Sequence, residues 1–178
     1  LQIRTGSGQT GWVHSSYVRT GQATSRYPVV VVPPTPTPSA CQIGVDGALR
    51  DGWSREEMGC PVGGSAVVWA AWQPFQRGQM LWRRDTDTAY VFVQGGGWSP
   101  LADRWNESIP VPSRGGPPPG LQAPVRGFGY VWGTHDWIYQ GLGWALDKEK
   151  GFCGLVQEFE KGFLLRSSGV DSCWQGLY

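Results

Sequence analysis

Gln73-Pro74-Phe75-Gln76-Arg77-Gly78-Gln79-Met80-Leu81 and Gln157-Glu158-Phe159-Glu160-Lys161-Gly162-Phe163-Leu164-Leu165 are two copies of one pattern, 84 positions apart. The same shift places Met58-Gly59 on Leu142-Gly143 without a gap, and Trp53 on Trp137. Gly59/143, Gln73/157, Phe75/159 and Gly78/162 are identical between the copies. Each copy reads as a strand ending in Gln-x-Phe, a tight turn at Arg/Lys-Gly, and a second strand of apolar residues. Gly78 and Gly162 supply the positive φ that such a turn requires. A short element carrying Trp53 or Trp137 comes before each. In the first copy, Arg83 to Thr88 makes a further turn. Tyr90-Val91-Phe92-Val93 reads as a third strand, ended by Gly95-Gly96-Gly97. The second copy reaches Tyr178 within its corresponding strand. Units this small cannot bury a core alone, so two of them should pack together.

Composition agrees with short elements and many turns. The chain has 178 residues with 27 Gly, 14 Pro and 11 Trp, and only 16% of its residues are charged. That argues against long helices and coiled coils. With 40% hydrophobic and 13% aromatic residues, it is not a disordered composition. The fold class expected is mostly β: two small repeat units of short antiparallel strands with short helical turns. The net charge is +1, which offers no basic field for nucleic acid. The run Val29 to Val32 is too short to span a membrane. The first residues have no signal-peptide pattern and no initiator Met, so the chain reads as a processed or trimmed piece.

The expected organisation is a hairpin at 1–20, a Pro/Thr/Val-rich linker or added strand at 21–40, unit one at 41–109, a Pro/Gly connector at 110–126 and unit two at 127–178. Leu1 to Arg4 alternates like a half-buried strand, Gly6-Ser7-Gly8 turns, and Gly11-Trp12-Val13 starts a second strand. The stretch TGSGQTGWVHSSYV resembles the last two strands of a bacterial SH3-like domain, through Gly11, Trp12, Val13, Tyr17 and Val18. In the linker, Thr-Pro alternation favours polyproline II. Val29, Val30, Val31 and Val32 are β-branched between prolines and suit an edge strand. With Gly11, Trp12 and Val13, they form a candidate assembly strand.

The repeat is similar to the LGFP-type repeat of secreted bacterial proteins. Met58-Gly59-Cys60-Pro61 followed by Gln73, Phe75, Gly78, Met80 and Trp82 matches that pattern. Leu142-Gly143-Trp144-Ala145 with Gln157, Phe159, Gly162 and Leu164 matches it without the Pro, and with Arg166 in place of the Trp. The resemblance implies a cell-surface or wall-associated, non-catalytic module, and supplies no ligand residues.

The four cysteines, at 41, 60, 153 and 173, form no C-x-x-C pair, which disfavours zinc and thioredoxin-like chemistry. An even count favours disulfides and an oxidising compartment over buried free thiols. Of the three possible pairings, Cys41–Cys60 with Cys153–Cys173 is the most local. Each such loop is worth roughly 3 kcal/mol by chain entropy.

No catalytic constellation stands out, and neither a cofactor nor a metal is expected. His135-Asp136 are adjacent, so their side chains should diverge. Ser54-x-x-Glu57 reads as a capping box. Asp85-Thr86-Asp87 lacks the Gly and distal Glu of a calcium loop and reads as a turn. Glu158 and Glu160 flank Phe159 and should face solvent. Trp98, Trp105 and Trp132 lie near Gly-rich or loop stretches and are candidate glycan platforms. Trp53, Trp82 and Trp137 sit at repeat sites and are assigned to the core.

Two functions follow. The first is a non-enzymatic extracellular structural protein that self-associates through exposed strands. The second is a cell-wall glycan- or peptide-binding region of a larger secreted protein. Secretion to the bacterial cell surface is common to both.

Overall fold

A computed structural model describes residues 2–4, 8, 10–12, 40–170, 172 and 173. Val13 and Val29–Val32 lie outside these residues. The chain divides into two compact units, Leu1–Ala40 and Cys41–Tyr178. In the first, β1 (Gln2–Arg4) pairs antiparallel with β2 (Thr10–Trp12), setting Ile3 opposite Gly11. The expected hairpin is present.

The second unit holds one six-stranded antiparallel sheet. Its strands are β3 (Ala66–Phe75), β4 (Gly78–Arg83), β5 (Thr88–Val93), β6 (Gly97–Ala102), β7 (Lys150–Phe159) and β8 (Gly162–Ser167). The order across the sheet is β6-β5-β4-β3-β7-β8. Helix α1 (Arg55–Met58) follows a 3-10 helix at Gly47–Gly52, and α2 (Arg126–Thr134) and α3 (Asp136–Leu142) precede β7. Ser54 caps α1, its hydroxyl accepting from the Glu57 N–H at 3.4 Å. The fold class is therefore mostly β with short helices. Disulfides join Cys41 to Cys60 and Cys153 to Cys173.

The repeat is an internal two-fold. β3 and β4 carried 84 positions along the chain land on β7 and β8 with the same bounds. β3 pairs with β7, and the pair Trp69↔Cys153 joins equivalent positions. Every other β3–β7 pair then has a symmetry mate within the same ladder. This is the isologous geometry of a homodimer, made within one chain.

The two copies exchange parts. The Arg77 N–H donates to the Leu142 carbonyl and the Lys161 N–H to that of Met58, each at 3.0–3.1 Å. Gln76 Oε1 accepts from the Trp144 N–H, and Glu160 Oε2 from that of Cys60. Phe75 bridges to Ala145 and Phe159 to Pro61. So the helix-Gly loop of each copy caps the hairpin of the other. Gly59 and Gly143, at φ +76° and +72°, hold a backbone conformation that side chains rarely adopt, and the Glu160 and Gln76 side chains pack against them. The backbone conformation, with this packing, accounts for the repeated Gly.

Alternation along the strands gives the sheet two apolar faces. On one face, Ala71, Phe75, Met80, Ala89 and Val91 pack against Phe128, Val131, Trp132, Ile138 and Leu142 of α2 and α3. On the other, Ala70, Leu81 and Tyr90 are buried beneath Trp72, Phe92, Phe152, Phe163 and Leu165. Tyr90 on β5 and Phe163 on β8 lie four strands apart in the sheet, yet their rings stand 4.7 Å apart. A flat sheet would hold β5 and β8 about 19 Å apart. The sheet therefore curls into a half-barrel, and these residues line its inside.

Candidate functional site

Inside the curl is an open trough of about 500 Å³. Its floor and walls are Trp72, Leu81, Phe92, Phe152, Phe163 and Leu165, with Trp98 at the mouth. The register puts these side chains on one face. Trp72 stands opposite Leu81, Gln79 opposite Phe92, and Phe92 opposite Trp98. Trp98 is 49% exposed and its ring stands 5.9 Å from Tyr90. Trp72 is oriented by its indole N–H, which donates to Gln79 Oε1 at 2.8 Å. Lys161 and Arg166 reach the rim, held by the Glu56 and Ala48 carbonyls.

A buried guanidinium lies under this face. Arg83 is 1% exposed and forks onto Asp85, with Nη2 to Oδ2 at 2.6 Å, while Nη1 pairs with Glu158 at 2.6 Å. Burial disfavours its charge, but both carboxylates outweigh burial and hold its pKa above the ordinary arginine value. Its Cζ lies 4.5 Å from the centre of the Phe163 ring. Arg83 thus ties β4 to β7 and β8 across the curl. Glu158, read as a solvent-facing residue, keeps its side chain 44% exposed and is also the second arm of this clamp. Asp85, in the stretch read as a turn, is the first.

The three tryptophans proposed as glycan platforms separate. Trp98 lies at the trough. Trp105 is half-buried, its indole N–H donating to the Ile109 carbonyl at 2.9 Å, and it walls a different cleft. Trp132 is no platform. It is 2% exposed, edge-on to Tyr139 and tilted against Trp144, and its N–H donates to the Gly143 carbonyl at 2.7 Å. Its place on α2, among Phe128 and Val131, turns it into the core. Trp137, assigned to the core, is 46% exposed. Trp132 plays the part expected of it: Trp53 donates to the Gly59 carbonyl just as Trp132 donates to that of Gly143. Trp82 packs at the edge of the helix-side core. Gly11 and Trp12 lie in β2.

Trough residues Trp72, Phe92, Phe152 and Phe163 escape a search for Trp in loops. Their signal is alternation, as in Tyr90-x-Phe92, once the strand is placed. His135 Nδ1 lies 3.0 Å from the Val131 carbonyl, and Asp136 pairs instead with Arg114. Among the described residues, no three His, Cys, Asp or Glu side chains are grouped to hold a metal.

The cleft walled by Trp105 lies between β3, β7 and the start of α2, and has a volume of about 1060 Å³. Trp69, Gln73, Arg126 and Glu149 also line it. Burial pushes the Glu149 carboxyl above its ordinary value; Arg126 opposes this and Asp103 adds to it. A raised carboxyl pKa means the folded state holds the proton more tightly. The ionised group then costs stability above that pKa, and nothing below the unfolded value near 4.3. Glu149→Gln should raise the Tm at pH 7 and leave it unchanged near pH 3, as calorimetry at the two pH values would show. No protein-family model, no curated protein sequence and no solved structure matches this chain.

Proposed function

We propose that this chain is a non-enzymatic extracellular binding module whose aromatic trough takes a cell-wall glycan. One observation carries the reading: Trp72, Phe92, Trp98 and Phe152 converge on one open concave face. Aromatic rings present flat apolar faces with few rotors, which suits stacking on sugar rings. The polar rim from Gln79, Lys161 and Arg166 suits hydroxyl-bearing ligands. Two disulfides fit an oxidising environment, and among the described residues no helix is long and apolar enough to cross a membrane. Secretion to the bacterial surface is part of the proposal, as is the LGFP-like and SH3-like kinship.

The test is co-sedimentation of the purified chain with bacterial cell walls. Trp98→Ala should weaken binding about tenfold, the scale of one lost stacking contact. Its Tm should stay within a few degrees of the parent. No sedimentation by the parent chain, or undiminished binding by the variant, overturns the reading.

Self-association through strands is the second reading. Among the described residues β8 has one strand neighbour, and its sequence Gly162-Phe163-Leu164-Leu165 is apolar. Such an edge invites strand addition. The opposite edge, β6, is blunted by Pro100. Sedimentation velocity separates the readings: a monomer at tens of micromolar supports the binding module, whereas concentration-dependent growth supports the assembly.

A further inference from the structure

One of the breaks in the internal two-fold falls beside a cleft. Gln157 is 1% exposed and its amide is fully used. Nε2 donates to the Gly44 and Gly63 carbonyls at 3.0 Å, and Oε1 accepts from the Asp46 N–H at 2.9 Å. The extended segment Gly44-Val45-Asp46 thus lies along Gln157 and fills that half of the molecule. Gln73 is its symmetry mate and is 2% exposed. Its Nε2 donates to the Asp147 carbonyl at 3.0 Å, the mate of the Gly63 bond. Nothing corresponds to Gly44-Val45-Asp46. The residues 84 positions on are Phe128-Gly129-Tyr130, and they are wound into α2, where the Gly129 N–H is spent on the Val125 carbonyl. Gln73 Oε1 is consequently buried with no hydrogen-bond partner, and Gln73 is among the residues lining the cleft of about 1060 Å³.

An unmet buried acceptor costs about 1–3 kcal/mol. The occupied half shows what satisfies such a group. The Gly44 carbonyl and the Asp46 N–H flank one residue and point the same way, as they do in extended chain. A single trans amide, such as an acetamido group, points its N–H and C=O in opposite directions and cannot serve both ends of the glutamine. The charge partner is inverted as well. In the occupied half, Ser65 donates to the Asp46 carboxylate at 2.6 Å. The symmetry mate of Ser65 is Glu149, which lines the cleft.

We propose that this cleft is a second binding site, for an extended peptide segment carrying a basic side chain opposite Glu149. The peptide takes the place that Gly44-Val45-Asp46 takes in the other half: its N–H meets Gln73 Oε1, its carbonyl meets the free Gln73 N–H, and its cation meets Glu149. Trp69 and Trp105 wall its sides. The proposal is independent of the trough.

The test uses the full chain and two capped heptapeptides. One has the sequence of residues 42–48; the other differs only by lysine at the place of Asp46. In amide NMR titrations, the lysine peptide should shift the side-chain NH2 signals of Gln73 and leave those of Gln157 in place. Its Kd should be on the order of 1 mM, and the aspartate peptide should bind at least about tenfold more weakly. Glu149→Gln should erase that preference, while Trp98→Ala at the trough should leave it intact. Gln73 signals unmoved by the lysine peptide, or equal affinity for both peptides in the parent chain, would overturn the proposal. A scrambled lysine peptide that binds as well would also do so.

Discussion

Trp132→Ala is expected to lower the unfolding free energy by about 3–5 kcal/mol, the range for emptying a large aromatic site. For a domain of this size, that is a Tm fall of roughly 10–20 °C. The indole is enclosed by Tyr139 and Trp144, with ring centroids 5.0 Å away in both cases. Its loss also strands the Gly143 carbonyl, which takes the indole N–H at 2.7 Å in the core. Urea unfolding followed by tryptophan fluorescence measures the change. Trp98→Ala is the informative partner. Trp98 is 49% exposed and stands at the edge of the Tyr90 and Phe92 cluster, so its removal should cost under about 1 kcal/mol. The two variants separate stability from binding: one destabilises the core, the other removes a ring from the trough. A Trp132→Ala protein as stable as the parent would refute the core assignment and return that tryptophan to the surface.

The contrast between these tryptophans shows what the amino-acid sequence reveals here. The repeat is legible because its spacing is undisturbed from Met58 and Leu142 onward. Two hairpins, their Gly turns and the local disulfides follow from it. Equivalence does not say which copy packs on which. The exchange of helix-Gly loops depends on pairing β3 with β7, and nothing local encodes that choice. Helix α2 was hidden by glycine, whereas α3 is the short element read around Trp137. Arg126-Gly127-Phe128-Gly129-Tyr130-Val131-Trp132-Gly133 has poor helix propensity, yet Phe128, Val131 and Trp132 follow helical spacing. Gly129 and Gly133 pack their bare backbone against the Pro124 and Pro112 carbonyls, and this packing overrides propensity. Strand β6 was hidden by the same logic. Gly95-Gly96-Gly97 reads as an ending, but it is a turn into a further strand that tolerates Pro100 because it is an edge.

The cleft at Gln73 could not be read from either copy alone. A glutamine in an apolar strand, repeated 84 positions on, signals a buried amide with a structural partner. In one copy the partner is chain. In the other, the same residues that could have been partner are a helix. The proposed site shows only as a difference between the two copies. That is why the repeat, and not any catalytic pattern, leads to it.

The same asymmetry predicts unequal costs for one substitution made at two equivalent glycines. Gly78 and Gly162 both sit at φ +150°, a conformation that side chains avoid. Alanine at either position carries a backbone strain of about 1–3 kcal/mol. At Gly162 the space beyond is open, so strain is the whole cost. At Gly78 a Cβ would overlap the Phe92 carbonyl oxygen of β5 and press on the Leu142 side chain, which is fully buried. β5 is hydrogen-bonded to β4 through this register, with Gly78 opposite Val93, so relief requires parting the strands. Gly78→Ala is therefore expected to cost about 4 kcal/mol or more, a size reserved for disrupted packing. Gly162→Ala should remain folded with a modest fall in Tm. Thermal unfolding of the two variants side by side is decisive. Equal losses would mean that β5 does not lie against the first hairpin as described, and the half-barrel that shapes the aromatic trough would lose its basis.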